Sequence, residues 1–578
     1  MFARISTVRH GSQTYRYLQI VESYRQDGRT TQRVLANLGR LDRLGTRLDD
    51  LVASLNKYCQ RPLTRSDQIG CRQTLCWGPV LLARSLWEQM GLPEVLTGLC
   101  GSGRRPFDVA EMAFVLVANC LCEPSSEHGL ARWLDHTFVC DRQGRRWKPQ
   151  WLPSEAVTKD QRVKVRHEQL NRWYRTLDTL LACKERIEQA LYLRVRDLFS
   201  VQVDVVFYDL TSTYFWRKSP IGRLRRHGAS KHGRPRQGQV LLGVVMANGW
   251  PIAHYVFPGN TAEKATLCET LKDLERRFGL GRVLVVADRG LVSAKNLEFL
   301  SGTRFRYLMG MPGRRSQEAG VVLDALAEEG WVQVDPGNRV QEVRLTGRSG
   351  RYFVIDSEDR KAYEEAMRER SMERARHALE KVAAAVEGGR LKDPAKIGAR
   401  AARAVAQNHG HRYFSWEVAG RGQFRFFEDP AKLQAETRHE GKYLLKSDDP
   451  DLTPAEAVGA YKTLATVEAG FRDLKDVDLP PRARGVNHQR DERIAAHLFV
   501  ATLALFLKRT LEHQLADRLP ELSGTEAIAA MRSIGLAELE VGGETIRLVP
   551  RGGRDARRVV SALGITNLNP PGLPKTPP

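Results

Sequence analysis

Cysteine is scarce and unpatterned: nine residues, at positions 59, 71, 76, 100, 120, 122, 140, 183 and 268, form no C-x-x-C pair, and no histidine stands at ligand spacing. That arrangement argues against a zinc site or a disulfide framework and fits a reducing cytoplasm. No G-x-x-x-x-G-K-[ST] loop occurs, so the chain lacks this nucleotide-phosphate cradle. The opening MFARISTVRHGSQTYRYLQIV carries no basic-then-apolar signal pattern. The most apolar helical run, His497 to Leu507, falls short of the roughly 18 residues a membrane span requires. A soluble chain with no membrane partner is expected.

Positive charge is abundant. Ninety Lys and Arg against 68 Asp and Glu give a formal charge of +22 and a pI near 9.8, which favours a polyanionic partner, most simply nucleic acid. The alternative is an Arg-rich composition with no such partner. At 578 residues and 42% hydrophobic content the chain can bury several cores.

The pattern along the chain predicts six segments. Residues 1–45 read as a small β module, because 14–22 and 32–38 are extended runs separated by a turn containing Asp27-Gly28. Residues 46–200 space their apolar positions by three and four and form a helical region suited to DNA binding, oligomerisation or plain packing. Residues 201–311 alternate: VQVDVVFYDL, QVLLGVVMANG and PIAHYVFPG read as strands, 261–279 as a helix, RVLVVADRG as a strand, and FRYLMGM as a further strand. Residues 312–440 change to a highly charged helix, a basic Ala-rich stretch and β-like HRYFSWEVAGRGQFRFFED, and read as an insertion. Residues 441–515 form the next segment, in which a helix resumes from Thr453 as cap with Pro454 just inside and a second, strongly apolar helix covers 491–515. Residues 516–578 end in the Pro-rich NLNPPGLPKTPP, expected to be disordered.

Three acids stand out. Val201, Val203, Val205, Phe207 and Asp209 share one face of a strand, so Asp209 ends an apolar row where an unpaired carboxylate is costly unless it meets a cation. Capping of the next turn through Thr211 or Ser212 is the alternative. Asp288 ends a strand apolar on both faces, with a turn-forming Asp-x-Gly as its alternative. In YKTLATVEAGFRDLK, positions seven apart lie on one line, giving a Tyr461, Glu468, Lys475 stripe; Glu468 paired to Arg472 on a surface helix is the alternative. Oxygen-only ligands suit Mg²⁺ or Mn²⁺ and not zinc. Two such ions can activate an attacking oxygen and stabilise a departing one at a phosphodiester.

This order of strand-Asp, strands, helix, strand-Asp, insertion and helix-Glu resembles the ribonuclease H-like core of bacterial insertion-sequence DDE transposases. It is most similar to the group with a Tyr, Arg, Glu, Lys signature on its last catalytic helix. Tyr461, Glu468 and Lys475 match; Leu464 stands where the signature has Arg, and Lys462 or Arg472 are candidate substitutes for its phosphate contact. The resemblance spans roughly 200–510, and the opening also resembles the N-terminus of one subgroup.

The resemblance implies a multidomain α/β protein: a mixed sheet flanked by helices, a large insertion before the final catalytic helix, and a helical N-terminal region. It implies Asp209, Asp288 and Glu468 as catalytic metal ligands for two Mg²⁺ or Mn²⁺ ions, with no nucleotide cofactor. Cleavage of element ends by water and joining by the freed 3′ hydroxyl would follow. Double-stranded DNA, as terminal inverted repeats and target, is the expected partner, with a homodimer as the active form and the bacterial cytoplasm, at the nucleoid, as location. In related enzymes a Trp from the insertion stacks on a displaced base; Trp416 is the candidate here, with packing in a core as the alternative. The basic segment 216–239, with Lys218, Arg225, Arg226 and Lys231, follows Asp209 and reads as a loop able to track phosphates, an ordinary solvated loop being the alternative; Arg289 adjoins Asp288. A metal-dependent nuclease of the same core, using only water, and a catalytically silent domesticated DNA-binding protein are the competing functions.

Overall fold

Asp27 and Gly28 close the first hairpin with φ of 49° and 77°, the mirror-image turn whose twist matches that of paired strands. The hairpin joins β2 (Gln13–Gln26) to β3 (Arg29–Arg40), and a further strand, β1 (Phe2–His10), pairs with β2 from Phe2↔Val21 to His10↔Gln13. β1 was not expected, because its few apolar residues are interleaved with Arg, Ser, Thr and His. The computed structural model describes the chain except residues 46, 60–68, 102–106, 148–158, 200–204, 215–221, 229–237, 281–282, 313–315, 349, 421, 465–487, 542–543 and 575–578. Two units emerge: Met1–Thr74 with Ala537–Leu548, and Leu75–Leu536 with Val549–Pro578. The first holds the β1-β2-β3 meander, in which Val21 is fully buried and most other side chains are exposed. It also holds most of β4 (Ile69–Cys76), which joins a second three-stranded sheet with residues from 537–548.

The second unit is built on a nine-stranded mixed sheet. Its strands are β5 (Val205–Tyr214), β6 (Gln239–Ala247), β7 (Trp250–Pro258), β8 (Leu284–Ala287), β9 (Arg306–Gly310), β10 (Val332–Asp335), β11 (Asn338–Val343), β12 (Arg351–Ser357) and, after β13 (Phe414–Val418) and β14 (Phe424–Glu428), β15 (Lys442–Ser447). The spatial order is β10-β11-β12-β15-β9-β8-β5-β6-β7. Within it, β5, β6 and β7 are antiparallel neighbours, while β8 lies parallel to β5 and β9 parallel to β8. Three antiparallel strands followed by two parallel ones across the first is the ribonuclease H-like order, reached through the crossover helix Leu267–Phe278.

Alternation sorts the side chains of β5 and β8 into two cores. Val206, Tyr208, Leu210, Val285 and Ala287 face the helices Leu267–Phe278 and Ala294–Ser301. Phe207, Leu284 and Val286 face the opposite layer, which includes the helices Val109–Cys122 and Asp491–Leu515. Asp491–Leu515 is long and apolar enough to cross a bilayer, more than the sequence run predicted, but 83% of its apolar window is buried inside the protein. It is a core helix by placement.

Residues after β9 extend the sheet instead of standing wholly apart from it. β15 pairs antiparallel with β9, β12 with β15, β11 with β12, and β10 with β11. The helices Glu358–Glu387 and Pro394–Gln407 and the β13–β14 hairpin have their own core of Ala375, Leu379, Val382, Ile397, Ala401, Val405 and Phe414. The chain is helical again over 454–464. Its expected cap is present: Thr453 Oγ1 accepts from Glu456 N–H at 3.3 Å while Thr453 N–H donates to Glu456 Oε2 at 2.8 Å.

Candidate active site

The parallel register of β5 and β8 runs Val205↔Leu284 to Tyr208↔Ala287, and one further step sets Asp209 opposite Asp288. Neighbouring strands lie about 4.8 Å apart, and in-register residues point to the same face, so two carboxylates stand side by side: Asp288 directly after β8, and Asp209 in the middle of β5, which stays paired with β6 as far as Tyr214 instead of ending at the acid as the sequence suggested. Both lie on the Phe207, Leu284, Val286 face and are half-buried. Asp209 Oδ1 accepts a hydrogen bond from Leu210 N–H at 2.7 Å. Beyond Asp209, Thr211, Ser212 and Thr213 are buried. On the opposite face, Tyr208 donates to Thr266 Oγ1 at 2.8 Å, and burial pushes its phenol up to about 12.

The helix over 454–464 packs on the carboxylate face through Ala457, Val458 and Leu464. From it Tyr461 donates to Asp288 Oδ1 at 3.4 Å and stacks on Tyr443 of β15 with ring centroids 6.0 Å apart; the Arg360 guanidinium lies 5.5 Å from the Tyr443 ring. The approach depends on Gly310, at the end of β9. A Cβ there would lie 2.5 Å from Tyr461 Oη and 3.4 Å from Arg289 N. Sequence reasoning named neither Gly310 nor Tyr443. A glycine closing a buried strand was the available signal for the first.

The remaining candidates are placed as follows. Arg289 is exposed beside Asp288. Arg225 is 3% exposed and Arg226 half-buried, the latter exchanging backbone hydrogen bonds with Gln239 at 3.1 and 2.8 Å. Among the described basic residues of that stretch, Arg223 and His227 are exposed. Lys462 is paired with Asp335 of β10, whose carboxyl this hydrogen bond holds below its usual range. Leu464 is buried, so the signature-Arg position is a core position here. Trp416 is half-buried against the core of its own helix-and-hairpin module. Glu468, Arg472, Lys475, Lys218 and Lys231 lie outside the described residues.

Five strands in this order, with one carboxylate in the middle of the first and another directly after the fourth, define a ribonuclease H-like fold. A family model described as the transposase DDE domain matches residues 215–507, just over half of the chain, and one described as the IS1634 family transposase N-terminal domain matches residues 3–68. The chain belongs to the DDE transposases of bacterial insertion sequences: it is a DNA transposase, of a family that cuts and transfers DNA strands using divalent metal.

No curated protein matches. Similar solved structures include a piggyBac transposase synaptic complex with hairpin DNA, at 10% identity and a TM-score of 0.33 over 79% of each chain. A Mos1 transposase paired-end complex with left transposon end is 15% identical, with a TM-score of 0.14 over 36% of this chain and 60% of that one. A mariner Mos1 paired-end complex with Mg is also 15% identical, with a TM-score of 0.13 over 35% of this chain and 60% of that one. At such scores the fold assignment stays with the strand order.

Proposed function

We propose that Asp209, Asp288 and Glu468 form one oxygen-ligand set that cuts the terminal inverted repeats of an insertion sequence and joins the freed ends to target DNA. The observation that carries this is that Asp209 and Asp288 follow directly on the last β5–β8 register pair, Tyr208↔Ala287, with Tyr461 hydrogen-bonded to Asp288. Glu468 stands one heptad beyond Tyr461 in sequence, the spacing of a single helical stripe. The donor set fits hard divalent cations: carboxylates alone, half-buried, with no thiol or imidazole among them. Two Mg²⁺ or Mn²⁺ ions bound there would supply charge neutralisation at a phosphodiester and an activated oxygen nucleophile.

The chain's own residues do the holding. β5 holds Asp209 within its paired length and β8 holds Asp288 at its end, and Tyr461 sets the orientation of Asp288 through its hydroxyl. Arg289, exposed beside Asp288, and the basic residues of 216–239 other than the buried Arg225 are proposed to contact the DNA backbone, together with Lys475, Arg472 and Lys462. A homodimer working in the bacterial cytoplasm, at the nucleoid, completes the reading. Incubation with inverted-repeat duplex and Mg²⁺, with the 5′ and 3′ termini mapped, tests it. Cuts at the element end followed by 3′-end joining are expected; cutting with no joining under any target condition would instead mark a nuclease.

A further inference from the structure

Away from the carboxylate pair, three metal-ligating side chains converge in the helical layer of the same unit. Glu127 lies in the turn after the helix Val109–Cys122, His488 just before the helix Asp491–Leu515, and His497 within that helix. His488 Nε2 and His497 Nδ1 lie 3.0 and 3.1 Å from the same atom, Glu127 Oε1. One donor atom from each residue falls within 4.8 Å of the others. The side chains are only 6% (Glu127), 7% (His488) and 16% (His497) exposed. The ring of Tyr174 stands edge-on to His488 at 5.7 Å and walls the cluster.

Burying a carboxylate and two imidazoles together is costly unless something holds them. With metal–ligand bonds of about 2.0–2.1 Å, tetrahedral coordination places neighbouring ligand atoms about 3.3 Å apart. The 3.0 and 3.1 Å edges already approach that value and the third lies within 4.8 Å, so side-chain adjustment alone would admit an ion. Two imidazole nitrogens with one carboxylate oxygen select a different metal class from the carboxylate-only site: Zn²⁺, Co²⁺ or Ni²⁺ in place of Mg²⁺.

We propose that Glu127, His488 and His497 bind one Zn²⁺-class ion, with each imidazole carrying its proton on the other ring nitrogen and the fourth position open to water. The site is structural. It ties His488 and the helix Asp491–Leu515 to the turn after Val109–Cys122. This assignment does not rest on the proposed strand-transfer chemistry. It reverses the expectation from cysteine and histidine spacing, because the three ligands are brought together by the fold and not by a local motif.

The test uses full-length protein stripped with a chelator, then titrated with Co²⁺ and followed by visible absorption. Metal content after Zn²⁺ loading and dialysis is measured in parallel. About one ion per chain with the intense bands of tetrahedral Co²⁺ is expected, together with a melting temperature that rises on Zn²⁺ addition. His488→Gln or His497→Gln should weaken binding at least about 10-fold, while Asp209→Asn combined with Asp288→Asn should leave it unchanged. Wild-type protein that binds no Co²⁺ and melts at the same temperature with and without Zn²⁺ would show a hydrogen-bonded triad only and overturn the proposal. So would full binding in both histidine variants, or binding lost in the aspartate pair instead.

Discussion

Replacing Gly310 by alanine probes how Tyr461 reaches the carboxylates. The added Cβ would sit 2.5 Å from Tyr461 Oη, where an ordinary contact is 3.4 Å or longer, so the hydroxyl must retreat by nearly an ångström. Its 3.4 Å bond to Asp288 and the stack on Tyr443 are what such a retreat disturbs. Overpacking of this kind costs about 1–3 kcal/mol of stability, and an ångström-scale displacement beside reacting groups can lower turnover on the order of 10²-fold. Tyr461→Phe deletes the clashing atom and leaves Cζ at 3.2 Å from the new methyl, a clash that small shifts relieve. Gly310→Ala should therefore be much milder in the Phe background, with a coupling of roughly 1–2 kcal/mol in a double-mutant cycle. Urea unfolding gives the stability arm, and single-turnover cleavage of an inverted-repeat duplex gives the activity arm. Gly310→Ala behaving as wild type in both, or costing the same with Phe at 461, would refute this account of the Gly310–Tyr461 contact.

Three further outcomes are expected. Asp209→Asn and Asp288→Asn should each lower cleavage by on the order of 10³-fold or more while duplex binding in a mobility-shift assay is retained; cleavage near the wild-type rate in either would remove that residue from the ligand set. Affinity for duplex should fall steeply with salt, with a log–log slope near −0.9 per phosphate neutralised, and a flat dependence would assign the +22 charge another role. Stability should decline below about pH 6.5: burial against Phe499 and the neighbouring Lys184 push the imidazole of His254 down to about 4. The unfolded chain then binds a proton that the folded one refuses, a loss of roughly 2 kcal/mol by pH 5. Its partner Glu188, held ionised down to about 2 by Lys184, His254 and Arg277 against the effect of burial, adds a loss in the same direction only below about pH 4.5. Unfolding midpoints that stay level from pH 7 to 5 would contradict a neutral buried His254.

The five central strands were legible because each is a run of β-branched and apolar residues bounded by turn signals. Strand order was legible only through resemblance, since pairing is non-local and leaves no local trace. The same limit hid β10–β12 and β15: the first three fall in the segment read as an insertion, where only 411–429 looked β-like, β15 falls at the start of the segment after it, and nothing in them says that β15 pairs with β9. β1 was missed because alternation with Arg, Ser and Thr masks a strand that buries almost nothing. Asp209 and Asp288 could be named from the sequence because an acid closing an apolar run is a local feature, although β5 itself continues past Asp209 to Tyr214. Gly310, Tyr443 and the Glu127–His488–His497 cluster could not, because each matters only through a neighbour distant in the chain. Leu464 is the instructive mismatch: a signature position occupied by an apolar residue turns out to lie in the core.

The central claim is that Asp209 and Asp288 together bind the catalytic cation, and the most direct measurement is an anomalous difference map from Mn²⁺-soaked crystals of the protein bound to inverted-repeat DNA. Density about 2.0–2.2 Å from carboxylate oxygens of both residues is predicted. Ordered DNA at the strand ends with no anomalous density there, or with the ion bound elsewhere, would contradict the account.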